Sequence, residues 1–410
     1  MRVLFAVSAW PGHYYPMVPL GWALQAAGHE VRVACAPSQT AAVTTAGLTP
    51  VPVLDGMDMV FLSRLRYLWD AQAGRWPYPW RPLHPLTGEE VTDLREFDFD
   101  RYVAEHTGQT FGALVRSFDA VVRLARDWRP DLVVHDPLAT EGPLAAAATG
   151  VPAALHLWGP TGTHEPAEHG LDLVPEYPPG TFARWKVRGL DRDTVRHVID
   201  PCPPELAPPT AARRLPVRFV PYNGPGGAPD WLLEPADRPR VCVVWGTSTT
   251  RMSGPRSFLL PAAVEAVAGL DVEVVVTATA EDLAAAGPMP AGVRTLERCP
   301  LHLVLPGSAA VVHHGGAGCA MTALHAGTPQ LALTFAIEQA LNGERIAAAG
   351  AGAHLPGHLA DVPAIRAAVA GLVEKPAAAE AAERLRVSSS ARPSPAELVD
   401  TLVDLAAGRA

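Results

Sequence analysis

Residues 311–324, VVHHGGAGCAMTAL, narrow the folds open to this chain more than any other stretch. A short apolar run ends in two histidines, a glycine turn follows, and an amphipathic helix pattern begins at once. A buried strand that passes straight into a helix belongs to layered α/β architecture, in which parallel strands alternate with covering helices. The turn leaves backbone N–H groups unpaired at a helix N-terminus. Such an end attracts anions, because its donors and the helix dipole point the same way. Two imidazoles beside it add donors, and positive charge when protonated. A diphosphate fits this pattern; the alternative is a tight connection whose glycines only permit close packing.

The same alternation runs through the chain twice. Apolar strands are expected at 3–7, 31–36, 51–53, 132–134 and 153–157, with helices at 17–27, 41–46, 102–128 and 138–148. Segments 201–209 and 221–239 are rich in proline and glycine and bracket a linker. The pattern then restarts, with strands at 241–245, 272–277, 293–296, 310–312 and 331–333 and helices at 257–268, 280–286 and 321–326. A chain of 410 residues, 48% hydrophobic, is too long for one ordinary core. The expectation is two Rossmann-like, doubly wound parallel-sheet domains facing a cleft. They fall at 1–213 and 239–392, with a linker at 214–238 and a last helix at 393–410 that docks across it. Residues 56–95 break the pattern, with Phe61, Tyr67, Trp69, Trp76, Tyr78 and Trp80 set among prolines and arginines. That insertion reads as a lid or wall for a flat apolar ligand, or as an excursion packed on a sheet edge.

Several functions are disfavoured. A net charge of −9 without a basic cluster argues against a nucleic-acid partner. Cysteines at 35, 202, 242, 299 and 319 form no CxxC pair, and their odd number argues against a disulfide framework, so a reducing cytoplasm is expected. No apolar run reaches the length of a membrane span. No GxGxxG follows a strand, and no P-loop, GxSxG or HExxH motif is present. His313 and His314 are adjacent, a poor spacing for chelating one metal. Asp98-Phe99-Asp100 has the spacing of a metal–nucleotide motif but lies in a charged stretch and reads as a solvated face.

The remaining candidates lie where strands end. His13, in the 10–16 loop after the first strand, can take a proton near neutral pH. Asp136 ends another strand on the same edge and can fix its tautomer, as in the His–Asp half of a catalytic triad. Thr247 and Ser248, in the 246–250 loop, offer hydroxyls and N–H groups to a phosphate. Arg298 can stack on a nucleobase while the Cys299 backbone reads the base edge. Glu338 and Gln339 open a helix and can hold sugar hydroxyls, or simply cap it.

Taken together, Gly12-His13 with Pro16 and Pro19-Leu20, residues 27–31, 130–136 and 220–224, Pro300-Leu301 with Leu305-Pro306, and 313–318 span nearly the whole chain. The sequence resembles the inverting glycosyltransferases of the GT-B fold whose bacterial members decorate antibiotics and other natural products. That resemblance implies an acceptor-binding N-terminal domain and a nucleotide-sugar-binding C-terminal domain. It implies His13 as the base and Asp136 as its partner. His313 and Gly315, Gly316, Ala317 and Gly318 would hold the diphosphate with Thr247 and Ser248, with His314 as a further contact. Relatives often carry tryptophan where Arg298 stands and Asp-Gln where Glu338-Gln339 stand. The implied co-substrate is a nucleotide diphosphate sugar, with a TDP-deoxysugar favoured, used without metal or covalently bound cofactor. The implied partner is an apolar or aromatic small-molecule acceptor of polyketide type; a homodimer and an auxiliary protein are both compatible with such a chain. A nucleotide-sugar epimerase of the same fold and a catalytically inactive helper remain alternatives.

Overall fold

The computed structural model describes residues 1–409 except 57, 178, 179 and 235, and omits the side chains of 107–111, 233 and 247. Among the described residues thirteen strands form two wholly parallel sheets. The first holds β1 (Arg2–Ala6), β2 (Glu30–Ala34), β3 (Thr49–Val51), β4 (Leu132–His135), β5 (Ala153–His156), β6 (His197–Asp200) and β7 (Arg213–Pro216), in the order β3-β2-β1-β4-β5-β6-β7. The second holds β8 (Arg240–Val244), β9 (Glu273–Ala278), β10 (Arg294–Glu297), β11 (Ser308–His313), β12 (Gln330–Thr334) and β13 (Gly352–Pro356), in the order β10-β9-β8-β11-β12-β13. The central strands are continuous apolar runs because helices cover both faces; Leu132, Val133 and Val134 are all fully buried.

Each sheet reverses its strand order once, between β1 and β4 and between β8 and β11. At such a switch point the loops leave in opposite directions and open a crevice beyond the carboxyl ends of the strands. Register places Ala6 beside His135 and Val312 beside Val243. The segments after β1 and β4 therefore emerge together, as do those after β8 and β11.

The structure departs from the sequence reading in four places. The chain stays in the first sheet through β7, so residues 214–216 are strand rather than linker. Its apolar Leu215 is buried in the core beneath a proline-rich approach that hides the pattern. The 56–95 insertion contains a regular helix, Met59–Gln72, started by Asp58, whose carboxylate accepts from the N–H groups of Val60 and Phe61. Its aromatics divide between the domains: Phe61 and Trp69 pack on Phe97, Tyr102 and Phe99 of the first, whereas Tyr78 donates to the carbonyl of Thr334 at 3.2 Å and stacks on Trp80, and both pack near Phe335 of the second. Asp98 and Asp100 are exposed, in keeping with a solvated face, and Asp98 caps the long helix Phe99–Trp128 by accepting from Arg101 N–H. β6, β7 and β13 carry too few consecutive apolar residues to be recognised by pattern.

The two halves are tied at several points. The last helix, Pro395–Ala406, buries Leu398, Val399, Leu402 and Leu405 in the first domain's core, so the chain crosses back after completing the second sheet. Beside that crossing, Arg392 donates to the carbonyls of Asp200 and Val217. In the linker, Asn223 donates to Thr322 and accepts from His302 N–H. Arg345, on the second domain's helix Ile337–Ala348, grips Glu165 of the first domain at 2.6 and 2.8 Å and also donates to the carbonyl of Pro160. The Glu165 side chain is wholly buried. Among the described residues no helix is long and apolar enough to cross a membrane.

Arg345→Met is expected to strand the Glu165 carboxylate without its cation and to cost about 3–5 kcal/mol. A urea unfolding curve indistinguishable from wild type would contradict this.

Candidate active site

His13 does not sit in an irregular loop. Residues Pro11–Tyr14 form one helical turn, and proline at its first position suits a place where no N–H is needed. The turn presents His13 half-buried at the cleft edge, its ring stacked on Trp158 with centroids 3.9 Å apart and planes 15° from parallel. Burial pushes the imidazole down to about 3, so it is neutral at physiological pH. Asp136 is completely buried. Its carboxylate accepts from Ser8 N–H at 2.6 Å, Leu138 N–H at 2.9 Å and the Ser8 hydroxyl at 3.1 Å. Burial raises it to about 6, against these hydrogen bonds, which favour the ionised form.

The expected pair is thus brought together, with a third residue between its members. Ser8 Oγ lies 2.7 Å from Nδ1 of His13 and 3.1 Å from Oδ1 of Asp136. Sequence reasoning missed Ser8 and Trp158. Both follow strand ends on the same sheet edge as His13, and that shared placement was the available signal.

Across the cleft, the helix Ala317–Ala326 begins at Gly316 with no side chain capping its first turn. Gly315, at φ +83°, bends the chain where a Cβ would lie 2.8 Å from the Gln339 carbonyl. His313 is where the structure overturns the expected arrangement. Its side chain is fully buried, Nδ1 accepts from Gly315 N–H at 3.0 Å, and Nε2 donates to Gln330 Oε1 at 3.0 Å. With both nitrogens engaged, His313 holds the turn and has none left for a ligand. Gln330 continues the chain by donating to the Ala320 carbonyl.

His314 is the imidazole placed for contact. It lies between two glycine loops, where a Cβ on Gly246 would come 3.1 Å from Cε1 and one on Gly316 2.6 Å from Nε2. Its buried Nδ1 has no hydrogen-bond partner among the described residues. Burial lowers this ring to about 4. Nearby, residues 247–253 form a short helix rather than a loop, with Gly246 as its uncapped start and the buried Thr249 and Thr250 hydroxyls also without partners. Ser248 lies in its first turn; the Thr247 side chain is outside the described residues.

Arg298 is exposed at the end of β10 in a left-handed backbone conformation, φ +49°, unusual for a residue with a side chain. Cys299 is buried, its thiol directed to the Gly227 carbonyl at 3.4 Å. Gln339 is also buried and its side-chain oxygen accepts from Phe335 N–H, which makes it a structural cap of the turn after β12. Glu338 is half-buried, and burial raises its carboxyl. One helical turn on, Asn342 donates to the Gly315 carbonyl at 3.0 Å and to Glu338 at 3.4 Å, and accepts from Thr161 of the first domain at 3.1 Å.

The two edges meet. Gly159 follows Trp158, and a Cβ there would stand 3.1 Å from the Cβ of Ala317. Trp158, stacked on His13, is thus followed directly by the residue that meets the uncapped helix start. Free backbone N–H groups at a helix N-terminus suit an anion, and a neutral imidazole can accept a proton.

Family models described as the N-terminal and C-terminal domains of erythromycin biosynthesis protein CIII-like proteins match residues 22–246 and 262–405. The chain belongs to this family. Over 99% of its length it is 36% identical to aklavinone 7-beta-L-rhodosaminyltransferase of Streptomyces galilaeus, covering 96% of that protein. It is also 36% identical to 10-deoxymethynolide desosaminyltransferase of Streptomyces venezuelae, over 99% of this chain and 97% of that one. A spinosyn rhamnosyltransferase solved with thymidine diphosphate superposes with a TM-score of 0.76 at 31% identity, over 98% of this chain and all of the other. The CIII-like chain is accordingly a glycosyltransferase of the GT-B fold.

Replacing the two adjacent histidines in turn should separate their roles. His313→Ala orphans the Gly315 N–H and the Gln330 side chain and should cost about 1–3 kcal/mol of stability. His314→Ala should leave stability nearly intact and weaken nucleoside diphosphate binding about tenfold, the scale of one hydrogen bond to a charged group. Thermal melts and calorimetry check both; equal affinity in His314→Ala would remove that ring from the site.

Proposed function

We propose that this protein transfers a deoxysugar from a TDP donor to a polyketide-type acceptor, with inversion at the anomeric carbon and without a metal ion. The observation that carries the reading is the apposition of His13 and the uncapped Gly316–Ala317 helix start across Trp158 and Gly159. The names of relatives support the sugar and acceptor classes: rhodosaminyl, desosaminyl and mycaminosyl transferases named for aklavinone, 3-alpha-mycarosylerythronolide B, 10-deoxymethynolide and tylactone. Two solved neighbours were captured with thymidine diphosphate. A cavity of about 120 Å³ between the insertion and the Ile337–Ala348 helix, walled by the aromatic rings of Tyr67, Trp76 and Tyr78 with Asp70, His169 and Glu344 also on its lining, supports a flat ligand with polar substituents.

In this reading the β-phosphate sits at the 316–318 turn, beside His314. As the anomeric bond breaks, negative charge grows on the diphosphate where backbone N–H groups already point, so little reorganisation is needed. The acceptor hydroxyl attacks from the opposite face and gives its proton to Nε2 of His13. Arg298 stacks on the base, Glu338 accepts from a sugar hydroxyl, and Ser248 assists at the phosphate.

Incubating the protein with a TDP-deoxysugar and a panel of polyketide aglycones, and following TDP release with product mass, tests this reading; an epimerised donor without product would favour the epimerase alternative. His13→Ala should lower turnover by about 10²–10⁴-fold while calorimetric TDP affinity is retained; unchanged turnover would exclude His13 as the base. Turnover should survive EDTA unchanged, and loss restored by magnesium would refute the metal-free route.

A further inference from the structure

We propose that Ser8 is a positioning residue for His13: its hydroxyl replaces a direct His–Asp contact, couples the imidazole to Asp136, and fixes which ring nitrogen faces the acceptor. The inference rests on the reading of His13 as the base. The direction of each bond follows from what the atoms can do. An ionised carboxylate only accepts, so the Ser8 O–H at 3.1 Å points to Asp136 Oδ1. The Ser8 oxygen is then an acceptor, and its 2.7 Å contact requires the proton on Nδ1 of His13. Nε2 is left unprotonated. The carboxylate itself cannot swing, because Ser8 N–H holds Oδ2 and Leu138 N–H holds Oδ1. Among the described residues no hydrogen bond joins His13 to Asp136 directly.

In the transfer step the acceptor O–H bond breaks and an Nε2–H bond forms. Nδ1 keeps its proton, and the new positive charge is felt by Asp136 through the oriented hydroxyl. No proton needs to leave Ser8. This coupling gives Ser8 a role that packing alone would not: it transmits the ionisation of Asp136 to His13.

The titrating neighbours are few. Asp136 stands at about 6, His135 beside it at about 4, and His13 at about 3. Glu141, in the first turn of the following helix, stands at about 7, raised by burial and then by Asp136. Below about pH 6 Asp136 becomes protonated and Ser8 loses its fixed acceptor, so wild-type turnover falls as pH drops through that value.

The test combines two measurements on the full chain. In ¹⁵N-histidine-labelled wild-type protein near pH 7.5, without substrate, the His13 ring should show the Nδ1–H tautomer. Ser8→Ala, which keeps the backbone N–H to Asp136, should lose that bias. It should lower turnover at least about tenfold, within the range of base catalysis, and abolish the acid limb near pH 6 while TDP affinity is unchanged. Glu141→Gln should retain the limb; if it removes the limb, the titration belongs to Glu141 and the coupling is overturned. An Nε2–H tautomer in wild type also overturns it, as does wild-type turnover and pH dependence in Ser8→Ala. The NMR arm needs no turnover, so a protein that transfers no sugar would defeat the functional reading without deciding this one.

Discussion

The cleft depends on a short loop of one domain being bonded into a helix of the other. Residues 158–165 leave β5 and carry, in order, the ring that covers His13, the glycine that admits Ala317, the hydroxyl that reaches Asn342 and the carboxylate gripped by Arg345. A buried ion pair is not in itself a strong source of stability, since desolvating two charges offsets most of their attraction. Its geometry is nonetheless specific: a bidentate guanidinium fits one orientation of the carboxylate. The pair fixes where the Ile337–Ala348 helix stands relative to β5, and with it how the 315–318 turn stands to Trp158 and His13.

That helix links the parts of the site. Glu338, Asn342 and Arg345 lie on one face at helical spacing, and each makes a different connection. Glu338, half-buried, accepts from Asn342. Asn342 holds the Gly315 carbonyl, which keeps the turn in the shape that exposes the next helix start. Arg345 reaches the other domain. A movement of the helix therefore alters sugar, phosphate and acceptor sides together, which is the behaviour expected where a rigid element serves two sites.

Much of this architecture was legible in the sequence because buried parallel strands announce themselves as apolar runs, and because sites gather at strand ends. That placement is why His13 and Asp136 could be expected on one edge, where the structure has them. Ser8 could not be, because a serine at the end of a strand carries no signal of its own; only the fold shows that it stands between the other two. His313 and His314 show the opposite difficulty. Adjacent in sequence, they project to different sides of β11's end, one into the core against Gln330 and one toward Gly246. The pattern established that two imidazoles were present, while alternation along an extended chain decided which one was available. For the insertion, aromatic richness signalled burial but not the partner surface: Tyr78 meets Phe335 and His358, which come from the other domain.

The neutral state of the site's imidazoles bears on how a base of such low proton affinity could work. Burial makes His13 a weak base. On the proposed reading that condition changes as the reaction proceeds. Negative charge accumulates on the departing diphosphate, and an anion near an imidazole favours its protonated form. Asp136, ionised above about pH 6, acts from the other side. The proton affinity of His13 is then greatest at the moment the acceptor must give up its proton and smallest before the donor arrives. An interior that penalises charge in the resting enzyme thereby restrains the base until the leaving group supplies the counter-charge, and the same burial makes the placement of the 158–165 loop decisive for rate.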